Sequence, residues 1–325
     1  MLAILRGIDR FKTWRDTPDP PKQRKAEKQQ SRQVPPFDIQ QIPEAMRKED
    51  MPISAKLMER WFAGVLNYSP TDADEGAELS QDGKPYPESM VDRTTIKMKW
   101  VLGYGRAQRQ YEHLLSDLIY SDRARTALTK ILRRHVDAFE LRPWTMCGND
   151  LRSLHKKFQF QRALVGSTLN QRFMQLIERV PKGAVPDDLC GALGSFNLYA
   201  AIAGAKYSLD RKSAVVTHIV VYIKDNYTFD AIPDSRSQYL GHWNKNGIIV
   251  VPALELLNMA GVPWLDYPVV TGANTGDLYK DGKVFYPVRN HDFRTWQLKH
   301  KRGGDFIILS DYIPIFLKRP ITVYI

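Results

Sequence analysis

Asp225, Tyr227, Asp230, Asp234 and Arg236 fall close together in the stretch KDNYTFDAIPDSR. Neighbouring carboxylates can divide the roles of acid and base. A set such as Asp225, Asp230 and Asp234 can also hold a hard cation, magnesium or calcium. Arg236 can grip an anionic oxygen or phosphate with two parallel N–H bonds. Tyr227 can donate to charge that develops during a reaction. His242, between Gly241 and Trp243, can join as acid or base. These residue types suit phosphoester or pyrophosphate cleavage. They equally suit an Asx-rich turn in which Arg236 pairs with an Asp and His242 is a hydrogen-bonded core residue.

What must hold these residues is the segment just before them. Val215 to Ile223 is the most continuous β-branched run of the chain, and it reads as a strand buried on both faces. Polar side chains driven out at the tip of such a strand would sit on a rigid base. Gly191 to Tyr207 reads as a neighbouring strand in close backbone contact. Tyr239–Trp243 and Gly247–Val251 read as a hairpin across Asn-Lys-Asn-Gly, and Phe306–Leu309 and Ile321–Ile325 as final strands. Pro252 opens an expected short helix, and Asn290 caps another that runs to Lys301.

The first half reads differently. A helix is expected from Ser54, with Leu57, Met58, Trp61 and Phe62 as its apolar stripe. Tyr68 to Tyr86 reads as a long polar loop, and Thr94 to Leu102 as a half-buried alternating strand. Helices are expected from Ala107 to Leu118 and from Ser121 to Phe139, then helical spacing from Leu151 to Val180. The fold class is therefore α+β: a helical N-terminal half followed by a β-rich, mostly antiparallel C-terminal half. The expected division is a basic helix and linker over 1–36, a mainly helical region over 37–180, and a β-rich region with the candidate site over 181–325.

The 325 residues carry a net charge of +11, which favours anionic partners. Cys147 and Cys190 show no metal spacing and read as free buried thiols, although one bridge would be open to them. No apolar run reaches the roughly 18 residues of a membrane-spanning helix, and MLAILRGIDRF does not read as a signal peptide. Dinucleotide and phosphate-loop fingerprints, a GxSxG elbow and an HExxH helix are all absent from the sequence. Asn290, His291 and His300 match only the close of an HNH nuclease motif, so nucleic acid is not an expected partner.

The segments IPEAMRKEDMPISAKLMERWFAG, KMKWVLGYGRAQRQYEHLL, YIKDNYTFD, QYLGHWN and YPVRNHDFRTWQLKHKRGGDFIILSDY resemble an uncharacterised family of proteobacterial proteins. That family is often encoded near type VI secretion components. The resemblance implies a secretion-associated role, such as that of a toxin effector, and supplies no catalytic residues. Separately, DNYTFD is similar to the Asp-x-Tyr-Asp signature of colicin M-type bacteriocins, which cut the lipid-linked peptidoglycan precursor. Asp225 and Tyr227 match that signature, Thr228 stands where it has Asp, and Arg236 lacks the preceding His. The expectation is an antibacterial effector, made in the cytoplasm and delivered to a target envelope, that hydrolyses an anionic lipid-linked substrate. Its expected partners are a secretion spike, a chaperone or an immunity protein. The other reading is a non-enzymatic adaptor, chaperone or structural accessory of the secretion machine.

Overall fold

The computed structural model describes residues 37–166, 186–229, 237–249, 268–270 and 283–325, within a unit that spans Pro35–Ile325. In chain order the helices are α1 (Ile42–Lys48), α2 (Pro52–Ala63), α3 (Asp72–Ala77), α4 (Met98–Leu102), α5 (Gly105–Ser116), α6 (Asp122–Leu132), α7 (Pro143–Met146), α8 (Leu151–Phe158), α9 (Asp188–Leu193) and α10 (Asn290–His300). The strands are β1 (Val91–Asp92), β2 (Glu140–Leu141), β3 (Gln159–Val165), β4 (Phe196–Tyr207), β5 (Ser213–Tyr227), β6 (Tyr239–Asn244), β7 (Gly247–Ile249), β8 (Val269–Val270), β9 (Val284–Arg289), β10 (Phe306–Leu309) and β11 (Ile313–Tyr324). The fold is α+β, with helices gathered in the N-terminal half and strands in the C-terminal half. Among the described residues, no helix is long and apolar enough to cross a membrane.

The β-branched run becomes β5, the axis of a seven-stranded sheet ordered β1-β10-β5-β4-β2. On one side β5 pairs with β4, and β4 in turn carries β3 and β2. On the other side β11 pairs along the first part of β5, and β10 pairs with Lys224–Tyr227. Only the β1–β10 pair is parallel in this sheet. Ile219, Val221, Tyr222 and Ile223 are completely buried, as a strand covered on both faces requires. A second sheet, ordered β7-β6-β9-β8, is antiparallel and contains the expected hairpin of β6 and β7.

Several local expectations are corrected. Thr94–Leu102 does not form a strand: Asp92 accepts from the backbone N–H groups of Thr94 and Thr95, and Asp311 caps α4 by accepting from Met98 N at 2.6 Å. Those two carboxylates impose a turn and a helix start on an alternating sequence. The polar stretch 68–86 holds the short helix α3, capped by the Thr71 hydroxyl. Helix α6 ends at Leu132, and Phe139 lies exposed beyond it. The helical spacing after Leu151 yields only α8 before β3 begins, and residues 167–185 lie outside the described residues.

Helix α2 begins at Pro52, and Ser54 does not cap it. Asp188, 134 residues away from Ser54, accepts from Ser54 N at 2.8 Å and from Ile53 N at 3.1 Å. The Ser54 hydroxyl donates to the same carboxylate. Trp61 of α2 is fully buried at the centre of an aromatic cluster with Phe62, Phe229, Phe293 and Trp296. Its indole N–H donates to Asp305 at 2.8 Å. Cys147 and Cys190 are both buried free thiols.

Candidate functional site

Side chains alternate along β5, so its tip presents two chemically different faces. Tyr222, Lys224 and Asn226 project to one face, and Ile223, Asp225 and Tyr227 to the other. On the first face stands Glu78, whose side chain is only 2% exposed. It follows α3 with a left-handed backbone, φ 59, which turns its carboxylate inward. Three cations reach that carboxylate: Arg152 at 2.7 Å, Lys156 at 2.6 Å and Lys224 at 3.3 Å. Lys224 faces Oε1 without hydrogen-bond alignment, so that oxygen has no hydrogen-bond donor among the described residues. Burial alone would push the Glu78 carboxyl up, but Lys156, Lys224 and Arg152 together hold it at about 2.

Helix α8 supplies Arg152, His155 and Lys156 at the i, i+3, i+4 spacing that gathers side chains on one helix face. His155 Nδ1 lies 3.0 Å from the Tyr222 hydroxyl, and its ring meets Tyr199 edge-on. Burial, reinforced by Lys224, pushes the His155 imidazole down to about 4, so it is neutral at physiological pH. Asn226 donates to Glu75 at 2.7 Å and closes the cluster on the α3 side. The face thus gathers three cations against Glu75 and Glu78, with a neutral imidazole beside them.

The opposite face holds the expected Asp225 and Tyr227. Asp225 pairs in register with Ile308 of β10. It keeps some accessible surface, yet burial raises its carboxyl to about 8 against the smaller pull of Asn226 N–H and Lys224. A carboxyl that is protonated at neutral pH can donate a proton but offers a hard cation no anionic oxygen, so no metal-dependent step is derived for it. Tyr227 stacks on Phe306 at 5.0 Å and meets Phe229 edge-on, and burial raises its hydroxyl far above the ordinary phenol. Asp230, Asp234 and Arg236 lie outside the described residues. His242 sits in β6 of the second sheet, fully buried, with the Tyr239 hydroxyl bonded to its Nδ1. Among the described residues, no group of three or more His, Cys, Asp and Glu side chains is placed to hold a metal ion.

The raised Asp225 carboxyl gives a pH prediction. Between the unfolded value near 4 and the folded value near 8, the folded state binds the extra proton, so stability falls as pH rises across that window. Asp225→Asn, neutral throughout, should therefore melt higher than the wild type at about pH 9 and level with it at about pH 4. Thermal melts across that range check it, and a wild type that outlasts the variant at the alkaline end would refute it.

Sequence reasoning missed Glu78, Arg152, His155 and Lys156. The helical spacing of the last three was legible, but nothing near Glu78 signals that it enters the core. Neither a curated protein nor a solved structure matches the chain. One family model does match, across residues 37–325, so it covers every described element. The chain belongs to that family, a family of unknown function (DUF6402).

Proposed function

We propose that this protein is an antibacterial effector associated with type VI secretion, which hydrolyses a phosphoester or pyrophosphate bond of an anionic, lipid-linked substrate. One observation carries the chemical part: Arg152, Lys156 and Lys224 converge at the tip of the central strand beside a neutral His155. Cations so placed hold and neutralise phosphoryl oxygens, and a neutral imidazole can accept the proton of an attacking water. Within the described residues no hydrogen bond reaches His155 Nε2, which leaves that nitrogen for the water. In the step, the water oxygen bonds to phosphorus and its proton passes to Nε2. The ester or anhydride P–O bond breaks, and the leaving oxygen departs as a phosphate or takes a proton from solvent. Asp225 lies on the other face of the sheet and takes no part in this step; the secretion association rests on the sequence resemblance.

The experiment is growth of a sensitive bacterium that makes the protein in its cytoplasm or, separately, with an export signal. Killing with lysis on export alone is expected, and His155→Gln and Lys156→Ala should each abolish it. Lys156 is half-exposed, and Glu78 keeps Arg152 and Lys224 without it, so its loss should lower the melting temperature by less than Glu78→Gln does and leave the protein folded. Killing in the cytoplasm alone would move the target to nucleotide or nucleic-acid chemistry.

A second reading, a non-enzymatic adaptor or chaperone of the secretion machine, is favoured by one feature: all three cations already have Glu78 as partner. In that case neither compartment is toxic, and the cluster serves only to hold the fold.

A further inference from the structure

We infer that the end of the large sheet that carries the β4–β5 turn docks on an anionic lipid surface. The turn, Ser208–Lys212, is rigid. Asp210 accepts from the Ser208 hydroxyl at 2.6 Å and from Lys212 N at 3.1 Å, and Arg211 takes a left-handed backbone, φ 61. This locked turn holds Leu209 out at 90% exposure. An aliphatic side chain so presented gains nothing from water and has no neighbour to cover it.

Two more exposed apolar rings belong to the same end. Ile325 N donates to Lys212 O at 2.9 Å, which places Tyr324, 80% exposed, beside the turn. Phe139, 55% exposed, lies under the Arg211 guanidinium, and its carbonyl accepts from Tyr207 N. The end of β4 is tied to the end of α6 by the Tyr207 hydroxyl, which donates to Leu132 O at 2.8 Å.

Cations ring these apolar groups. A groove of about 430 Å³ on α6 is lined by Arg125, Thr126, Thr129, Lys130 and Arg133, with no carboxylate. Thr129 approaches the Tyr324 backbone carbonyl at 3.5 Å, so the groove adjoins that end of β11. Among the described residues no carboxylate pairs with Lys130 or Arg133. Lys206, Arg211 and Lys212 extend the charge around the turn, while Asp210 is engaged within it and Glu140 pairs with Arg142 at 2.8 Å.

Apolar tips ringed by Lys and Arg are what an interface of acyl chains and anionic headgroups accepts: the rings and Leu209 enter the boundary while the cations stay at headgroup level. A nucleic acid would use the cations and the rings but has no use for an exposed leucine on a turn. The lipid surface is therefore the occupant that accounts for all three apolar residues. This inference is independent of the site at the tip of β5.

The test is flotation of the full-length protein with two vesicles, one of phosphatidylcholine alone and one containing phosphatidylglycerol. Binding is expected to the anionic vesicles alone, and high salt should weaken it. Leu209→Glu should lower the partition by about tenfold or more, since it removes one buried aliphatic side chain. Lys130→Glu with Arg133→Glu should lower it by at least about tenfold, at roughly fivefold per basic residue at such a surface. These side chains are exposed or line an open groove, so both variants should melt with the wild type. Vesicle binding that survives both substitutions would place the contact elsewhere and overturn the inference. So would absence of binding to either vesicle, or binding of a short DNA duplex that exceeds vesicle binding and ignores Leu209→Glu.

Discussion

Glu78→Gln should lower the melting temperature by about 5–10 °C, corresponding to about 3–5 kcal/mol for breaking a buried ion pair in a chain of this size. The carboxylate is the shared partner of Arg152, Lys156 and Lys224, and two of these cations, Arg152 and Lys224, are themselves largely buried. Glutamine keeps the shape and removes the charge, so the cations are left facing one another in a medium that screens them poorly. The cost should shrink when Lys224→Met accompanies it, because one uncompensated charge then leaves the core. The pH dependence carries the same signature. Glu78 has a folded value near 2 against an ordinary value of 4.5, so its contribution is full above the unfolded value and is lost as pH falls through about 4 towards 2. His155 adds to it in the same direction. With its folded value near 4, the unfolded chain binds the proton first, and stability declines as pH falls below about 6.5. Acid melts of the wild type should be steep, and those of Glu78→Gln shallower. Equal melting temperatures at neutral pH would show that the cations are solvated without the carboxylate.

Asp305→Ala is expected to cost about 3–5 kcal/mol, read from urea denaturation. Asp305 is 1% exposed, and its carboxylate accepts from side chains: Trp61 Nε1 at 2.8 Å, Thr228 Oγ1 at 2.9 Å, Arg294 at 2.9 Å and, more distantly, Gln297 Nε2 at 3.5 Å. Burial pushes its carboxyl up, and Arg294 with the neutral donors opposes that. Arg294 is itself held by Gln297, whose amide donates to the carbonyls of Asn67 and Gly303. The alanine variant would strand a buried guanidinium and an indole N–H, and that is the expensive direction of change. A double-mutant cycle with Arg294→Ala should return a coupling of about 2–3 kcal/mol. A cycle that closes to zero would show that the two residues act independently.

The fold class was legible because its signal is long-range in the chain: apolar spacing of 3.6 in the first half, and a β-branched run followed by short alternating segments in the second. Leu57, Met58, Trp61 and Phe62 form the buried stripe that their spacing predicts. At two helix starts the reading failed because a distant carboxylate had intervened. Asp188 starts α2 and Asp311 starts α4, and neither helix start contains a local capping residue to be read. The candidate site divides in the same way. The polar tip of β5 was visible from the abrupt change of composition after Ile223, but a strand tip has two faces. The sequence gives no view of what α3 and α8 bring to the second. Glu78 lies in a run of acids, Asp72, Asp74 and Glu75, that looks like a solvated loop, and only its left-handed backbone turns it inward.

The pairing of β5 also has a bearing on how the chain is made. One long edge of that strand is closed by β10 and β11 together, from Phe306 to Tyr324, and these leave the ribosome only after β5 and the whole segment between have done so. Until they arrive, a nascent chain carries the apolar run Val215–Ile223 with one row of backbone N–H and C=O groups unpaired, next to a finished β4. An open edge of that kind pairs with whatever strand it meets. During synthesis the interval between β5 and β10 is therefore the stage at which two nascent copies would most readily join edge to edge. A factor that shields strands would act on this chain there, rather than on the finished protein.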